Sequence, residues 1–259
     1  MYKISVITIN FNNKTGLEKT IQSVIYQTYP FIEYIIIDGG STDGSVEVIK
    51  KYEDKITYWV SEPDRGIYHA MNKGVEKATG DYLLMLNSGD YLISNNIINQ
   101  FAQLSTTEAI VYGDLKWEKD QSLHNHKFDK ELSFRYFLNN SLGHQAMFIH
   151  KSIHKTIGLY DEDYKITADW KLILLAYSKF NLPFRYINLE ISICPRDGIS
   201  CNPANWTQIL SERKMFLEKE FKTFLPDYDN MQRLENDLKT LKQSYFQKIK
   251  RRLKKYILE

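Results

Sequence analysis

The sequence predicts an α/β fold built on a doubly wound, mostly parallel sheet, and three observations predict it. Short apolar runs rich in β-branched and aromatic residues recur through the first part of the chain. Between them lie segments whose apolar residues are spaced for one face of a helix, and each run is closed by turn-forming polar residues. A chain that alternates strand and helix returns to the same sheet by right-handed crossovers, which makes the strands parallel and covers both faces.

Strands are expected at residues 4–9, 34–37, 56–60 and 82–86, where apolar residues run without alternation, as they do when both faces of a strand are buried. The first helix is carried by Leu17, Ile21, Val24 and Ile25, the second by Val46 and Ile49, the third by Ile67, Ala70, Met71, Gly74, Val75 and Ala78. From residue 105 the regularity falls. Strand-like residues 110–112 and 146–149 are separated by a polar stretch that holds His124 and His126, so this half is expected to be mixed. A helix is expected over 167–178, a strand over 184–193, a turn region over 195–203, and helix from there on. Leu234, Leu238, Leu241, Tyr245, Ile249 and Leu253 form one apolar stripe on the last helix, which also carries Lys248, Lys250, Arg251, Arg252, Lys254 and Lys255. Three readings of that helix stand together: a charged face packed through its Leu stripe, attachment to an anionic membrane surface, or a coiled-coil dimer. The organisation that follows is a domain of residues 1–205, with halves 1–104 and 105–205, and a helical extension 206–259.

Composition bounds the function. In 259 residues there are 34 Lys and Arg against 32 Asp and Glu, a net charge of +2, with 43% hydrophobic and 25% charged residues, which excludes disordered, collagen-like and disulfide-scaffold chains. A nucleic-acid-binding domain gathers a larger basic excess on one face, so no nucleic-acid partner is expected. Cys194 and Cys201 are too few for a disulfide framework, and the first residues run into a strand with no signal-peptide pattern, so a cytoplasmic protein with free thiols is expected. Apolar runs of about half a dozen residues fall far short of the ~20 that cross a bilayer.

Ligands of parallel sheets sit outside the carboxyl ends of the strands. The segments at those ends are Thr8-Ile9-Asn10-Phe11-Asn12, Asp38-Gly39-Gly40-Ser41-Thr42-Asp43-Gly44-Ser45, Glu62-Pro63-Asp64-Arg65-Gly66 and Asn87-Ser88-Gly89-Asp90. Any one of them alone makes a turn or a helix cap. Together on one rim, their carboxylates, amides and Arg65 suit a hydroxyl-rich ligand that bears phosphate.

These segments carry a resemblance. The run Ser5-Val6-Ile7-Thr8-Ile9-Asn10-Phe11-Asn12, then Ser23-Val24 with Gln27-Thr28-Tyr29-Pro30, then Ile36-Ile37-Asp38-Gly39-Gly40-Ser41-Thr42-Asp43-Gly44, resembles the opening of the family 2 glycosyltransferases. Glu62-Pro63-Asp64-Arg65-Gly66-Ile67-Tyr68 with Ala70-Met71-Asn72-Lys73-Gly74, and Thr79-Gly80-Asp81-Tyr82, continue the likeness, which covers residues 1–205. The resemblance implies a GT-A fold and inverting transfer of a sugar from a nucleoside diphosphate donor, a UDP-sugar, to a growing, lipid-linked glycan. The subset it most resembles builds bacterial surface polysaccharides. A peripheral position on the inner face of the membrane, through the basic helix, suits such an acceptor.

The resemblance also implies roles. Asp38 contacts the base, Thr8 and Asn10 border base and ribose, and Asp64 and Arg65 hold the base or ribose and a phosphate. The family places an Asp-X-Asp triplet after the fourth strand to hold Mn²⁺ or Mg²⁺; here Asn87 and Gly89 take the carboxylate positions, so Asn87 and Ser88 are expected on the substrate and Asp90 on the metal. Asp169, in Lys165-Ile166-Thr167-Ala168-Asp169-Trp170-Lys171-Leu172, matches the late acidic motif and is the implied base, although an acid at a helix start also complements the helix dipole. Gly143-His144-Gln145-Ala146-Met147-Phe148 resembles an acceptor-side stretch, in which His144 donates to a diphosphate or positions Asp169 and Gln145 lies beside it. Asp197-Gly198-Ile199-Ser200 resembles the loop that closes over the donor. His124, His126, His144 and His154 lack the spacing of a zinc site.

Two rivals remain at this level. A nucleotidyltransferase would carry a Gly-rich basic loop where this chain has Asn10-Phe11-Asn12-Asn13-Lys14. A catalytically degenerate partner subunit that only binds nucleotide sugar would account for Asn87 and Gly89.

Overall fold

The computed structural model describes residues 1–258. In its last helix the side chains of residues 244, 247, 248 and 250–258 lie outside the description, and with them Leu253 of the stripe and the basic residues Lys248, Lys250, Arg251, Arg252, Lys254 and Lys255.

The continuous apolar run at the N-terminus becomes β1 (Ile4–Asn10), buried along its whole length because it lies between two neighbours, β2 (Ile32–Asp38) and β4 (Tyr82–Met85), both parallel to it. Beyond β2 lies β3 (Tyr58–Ser61), again parallel. The crossovers are α1 (Lys14–Ile25), α2 (Ser45–Lys51) and α3 (Ile67–Lys77). Close approach fixes α3: a Cβ on Gly74 would lie 2.4 Å from Ile7 Cγ2, so the helix rests directly on β1.

The second half adds β5 (Tyr91–Leu92), α4 (Ile97–Ala102), β6 (Ile110–Lys119), β7 (Ser122–His126), α5 (Phe134–Asn139), β8 (Met147–His150), α6 (Ser152–Thr156), α7 (Ala168–Ser178) and β9 (Phe184–Pro195). The sheet runs in the order β3-β2-β1-β4-β8-β6-β9-β5, with β7 on β6. It is mixed here, since β8 is antiparallel to β4 and β6, whereas β9 is parallel to β6 and antiparallel to β5. Phe101 of α4 stacks on Phe148 of β8 at 3.8 Å and meets Tyr82 edge-on at 5.0 Å, which closes the core between the halves.

The structure departs from expectation in a few places. The polar stretch with His124 and His126 is half of a hairpin, β7 on β6, closed by Asp120 and Gln121 at φ 50° and 61°. It has no buried face, so no alternation marks it. The third strand begins at Tyr58 because Ile56 follows a short 3₁₀ turn, Glu53–Lys55, and is buried ahead of the strand. Gly44, at φ 93°, sets the start of α2 at Ser45, and the Asp43 carboxylate accepts from the Ser45 amide.

The chain divides into two compact units, Met1–Ile209 and Leu210–Glu259. Helices α8 (Trp206–Glu220) and α9 (Leu225–Leu258) form the end of the chain, and the Phe216 and Phe221 rings meet edge-on at 5.9 Å at the turn between them. Among the described residues of the α9 stripe, Leu234, Leu238 and Leu241 are 64%, 55% and 66% exposed. Among the described residues no helix is long and apolar enough to cross a membrane.

The amino ends of β1, β2 and β4 are tied by one carboxylate. Glu33, its side chain 5% exposed, accepts from Lys3 Nζ at 2.7 Å, Ser5 Oγ at 2.6 Å, and the Thr79 amide and hydroxyl at 2.7 and 2.6 Å. Burial pushes its pKa up, but these donors outweigh it and hold the group at about 2, below the ordinary 4.5. A folded pKa below the unfolded one gives stability that is present above pH 4.5 and lost as pH falls toward 2. Glu33→Gln is expected to cost on the order of 3 kcal/mol at neutral pH and to flatten the fall of Tm across that acid window, read by thermal melts at stepped pH.

Candidate active site

Parallel register brings the carboxyl ends of the first strands level. Asn10 lies opposite Asp38, and Asp38 opposite Ser61. Asp38 Oδ1 accepts from Asn10 Nδ2 at 2.7 Å and Ser41 Oγ at 2.6 Å, and Oδ2 accepts from the Ser41 amide at 2.9 Å and Ser61 Oγ at 2.6 Å. Burial raises the Asp38 pKa and these four donors more than reverse it, so the group is an ionised internal hub. It is 0% exposed and orders Asn10, Ser41 and Ser61 at the strand ends. Thr8 lies deeper in the sheet. It sits two residues below the end of β1, fully buried, with its hydroxyl 3.1 Å from Tyr34 Oη. Asn10 stays at the rim, and its Oδ1 is buried with no hydrogen-bond partner among the described residues.

Asp64 and Arg65 diverge. Asp64 Oδ1 takes His69 Nδ1 at 3.0 Å and Lys73 Nζ at 2.5 Å, both from α3. Its side chain is 10% exposed. Arg65, 71% exposed, reaches across to Glu162 Oε2 at 2.7 Å.

The loop after β4 is fastened to α1. Gly89, at φ 105°, gives its amide to Thr20 Oγ1 at 2.9 Å, and Thr20 Oγ1 in turn donates to the Asp90 carbonyl at 2.6 Å. Asn13 Nδ2 bonds the Ser88 carbonyl at 3.0 Å, which holds Ser88 by its backbone. From this loop a chain of contacts leads to the other half. Asn87 Nδ2 can only donate, so His144 Nε2 accepts at 3.1 Å, and Nδ1–H faces Asp169 Oδ2 at 3.3 Å. Gln145 is buried next to His144, and the buried Cys194 thiol, 3.7 Å from Ser192 Oγ, lies near both Gln145 and Asp90.

Asp169 occupies the first turn of α7, with its side chain 20% exposed. Oδ1 accepts from Tyr68 Oη at 3.0 Å and from the Trp170 amide at 2.9 Å, whereas Oδ2 meets His144. Burial pushes the Asp169 pKa up, and His144, the Trp170 amide and Tyr68 together hold it below the ordinary carboxylate value. Burial lowers the pKa of His144, and Asp169 and Asp90 more than reverse this. Asp90 has fewer donors. Burial pushes it up to about 6, and Asp197 of the loop after β9 adds to the rise.

The site therefore joins Asn87, His144 and Asp169 directly, sets Asp90 beside His144, and gathers Asn10 and Asp38 in a second cluster and Asp64 in a third. Tyr68, Asn72, Lys73, Ser41 and Ser61 were not assigned roles from the sequence, whereas Glu162, with Asp161, stood as a weaker competitor of Asp169 for the base. Tyr68, Asn72 and Lys73 lie inside a motif already singled out, but α3 was traced by its apolar residues. An ionisable Asp90 and the buried, unpartnered amide oxygen of Asn87 fit a hard divalent cation that takes further oxygens from a diphosphate. Among the described residues no group of three or more His, Cys, Asp or Glu is placed to hold a metal alone.

A model of the family described as glycosyl transferase family 2 matches residues 5–156. An uncharacterized glycosyltransferase of Mycobacterium tuberculosis is 38% identical over 178 residues, 67% of this chain and 68% of that one. A PGL/p-HBAD biosynthesis glycosyltransferase of the same species is 28% identical over 194 residues, 73% of this chain and 75% of that one. Among solved structures, S. aureus TarS 1–349 in complex with UDP superposes with a TM-score of 0.66 at 17% identity over 83% of this chain, which spans only 65% of the TarS chain. The mannosyltransferase PcManGT from Pyrobaculum calidifontis, in complex with GDP-Man and Mn²⁺, gives 0.55 at 16% identity over 75% of this chain and 56% of its own. At such identities the likeness is one of fold, and the fold is GT-A.

Asp90 generates a test of the site's electrostatics. Its folded pKa of about 6 lies above the ordinary 3.8, so the stability linked to its proton is full below pH 3.8 and lost as pH rises through 6. Asp90→Asn removes that loss. Its Tm is expected to exceed the wild-type value at pH above 7, by the equivalent of about 1–3 kcal/mol, and to match it near pH 4, in melts of both proteins.

Proposed function

The chain belongs to glycosyl transferase family 2, and on that premise we propose that it transfers a sugar, with inversion, from a UDP-sugar to a hydroxyl of a growing, lipid-linked glycan in surface-polysaccharide synthesis. The observation that carries this reading is the ionised Asp169, two-thirds of whose donors converge on Oδ1 and leave Oδ2 with His144 alone among the described residues. The acceptor hydroxyl attacks the anomeric carbon from the face opposite the diphosphate. As the new C–O bond forms, the hydroxyl proton passes to Asp169 Oδ2, and the bond from that carbon to the diphosphate oxygen breaks, its electron pair leaving with the nucleotide. His144 keeps the carboxylate turned toward the acceptor side. Asn10 and Ser41 face the base and ribose, with Asp38 ordering them from below, and Asp64 and Arg65 border the same donor. Ser88 and Gln145 line the cleft beside Asn87.

Asp90 and the amide oxygen of Asn87 would hold Mn²⁺ or Mg²⁺ together with the donor diphosphate, and the cation would neutralise charge that gathers on the leaving group. The departure at Asn87 and Gly89 supports a second reading, a partner subunit that binds nucleotide sugar without turnover. Thermal melts with UDP, GDP and their sugars, each with and without Mn²⁺, separate the two when combined with Asp169→Asn. The transferase reading expects a UDP-selective, metal-enhanced rise in Tm in both proteins, with turnover reduced at least about 100-fold in the variant. Unchanged turnover in Asp169→Asn removes the base assignment, and no shift with any nucleotide removes the donor.

A lipid-linked acceptor would place the protein on the cytoplasmic face of a membrane. The exposed stripe of α9 at Leu234, Leu238 and Leu241 supports this, and the basic residues that follow in the sequence would meet anionic headgroups. In flotation assays the protein is expected to rise with vesicles that contain phosphatidylglycerol and to stay behind with phosphatidylcholine alone. Equal behaviour with both removes the electrostatic part of the proposal.

A further inference from the structure

Between α6 and α7 the chain runs through a segment with no regular secondary structure, and Asp169 stands at its far end. A carboxylate at the end of such a segment keeps one orientation only if side chains fasten the backbone before it. Helix α3 supplies them. Tyr68 and Asn72 are four residues apart and so share a face of the helix. Asn72, 5% exposed, donates from Nδ2 to the Tyr160 carbonyl at 2.9 Å and accepts the Tyr160 amide on Oδ1 at 2.9 Å, pairing with that backbone as a strand neighbour would. Its Nδ2 also lies 3.2 Å from Glu162 Oε1, and Arg65 reaches Glu162 Oε2 from the residue pair that precedes α3. Tyr68, 4% exposed, stacks on the Tyr160 ring at 5.8 Å and 28° and gives its hydroxyl proton to Asp169 Oδ1. On the other side the Trp170 indole donates to the Phe137 carbonyl at 2.7 Å.

We propose that Tyr68 is a positioning residue for Asp169, and that α3, resting on β1 through Gly74, is the rigid element that carries both the nucleotide rim and the orientation of the carboxylate. A buried phenol must place its proton on an acceptor, and the acceptor it has is Oδ1. With Oδ1 fixed by Tyr68 and the Trp170 amide, Oδ2 is the oxygen turned to His144 and left to take a proton. The Tyr68 hydroxyl thus selects which oxygen of the carboxylate works, without itself touching substrate. The catalytic half of this statement rests on the reading of Asp169 as the base; the positioning half does not.

Tyr68→Phe keeps the ring and its stacking and removes only the hydroxyl, and its Tm reports that it is folded. In the first arm, nucleotide release from UDP-glucose and UDP-N-acetylglucosamine with water as acceptor is compared in wild type, Tyr68→Phe and Asp169→Asn. Tyr68→Phe is expected to lower kcat about tenfold with KM for the donor unchanged, since a loosened base costs orientation rather than binding. The second arm needs no substrate. The ¹⁵N resonances of the His144 ring, assigned by their loss in His144→Gln, are compared at one fixed pH. The Tyr68→Phe signal is expected to move toward its position in Asp169→Asn, because a carboxylate no longer held on Oδ1 leaves the imidazole. A His144 signal that does not move toward that position overturns the proposal. If wild type and Asp169→Asn release nucleotide alike, the base reading falls, and the His144 signal still decides whether Tyr68 positions the carboxylate.

Discussion

A carboxylate four-fifths buried has to remain charged, and much of the second half of this protein is arranged around that requirement. Removing Asp169 from water raises its pKa, and only donors aimed at it reverse the effect. They come from separate parts of the chain: a phenol on α3, an imidazole just before β8, and the amide of the next residue in α7. Each donor is fixed by something else. Tyr68 is set by the close contact of α3 with β1, and His144 by Asn87 in the loop after β4. The parallel half of the sheet thereby holds the acid that stands in the mixed half.

Three aspartates show how environment divides one residue type among different tasks. Asp38 is wholly enclosed and has four donors, so it is ionised and serves the architecture of the rim. Asp169 has three donors, two on Oδ1 and His144 on Oδ2, an arrangement that suits the proposed base. Asp90 is the least satisfied. Its thiol neighbour and one backbone amide do not offset burial, and its pKa of about 6 describes a group that gains from a positive partner. That leftover demand, with the unpartnered oxygen of Asn87, is the physical argument for a cation in a loop that lacks the usual paired carboxylates.

Much of this was legible in the sequence, and the failures have causes. The strands β1, β2 and β4 announce themselves as unbroken apolar runs because both their faces are covered. The hairpin strand β7 does not, because it has no covered face to leave a pattern. Asp169, His144 and Asn87 were found as members of motifs, and the structure joins them in one chain of contacts. Motifs do not encode depth. Thr8 and Asp38 stand in the same segments as exposed rim residues, yet one is two residues below the strand end and the other is closed over by Ser41 and Ser61. Tyr68 and Asn72 escaped notice for a related reason: on a helix read by its apolar face, a polar group on a buried face looks like part of the core until its partner, some ninety to a hundred residues away, is placed opposite it.

The central claim is that Asp169 is ionised because of its donors, and infrared difference spectroscopy of wild type minus Asp169→Asn tests it most directly. With ¹³C-labelled aspartate, at about pH 5 and with no ligand present, the account predicts that the variant lacks one ionised carboxylate band. Loss of a protonated carboxyl band instead would mean that burial wins over Tyr68, His144 and the Trp170 amide, and that the proposed base is neutral where the proposal requires it charged.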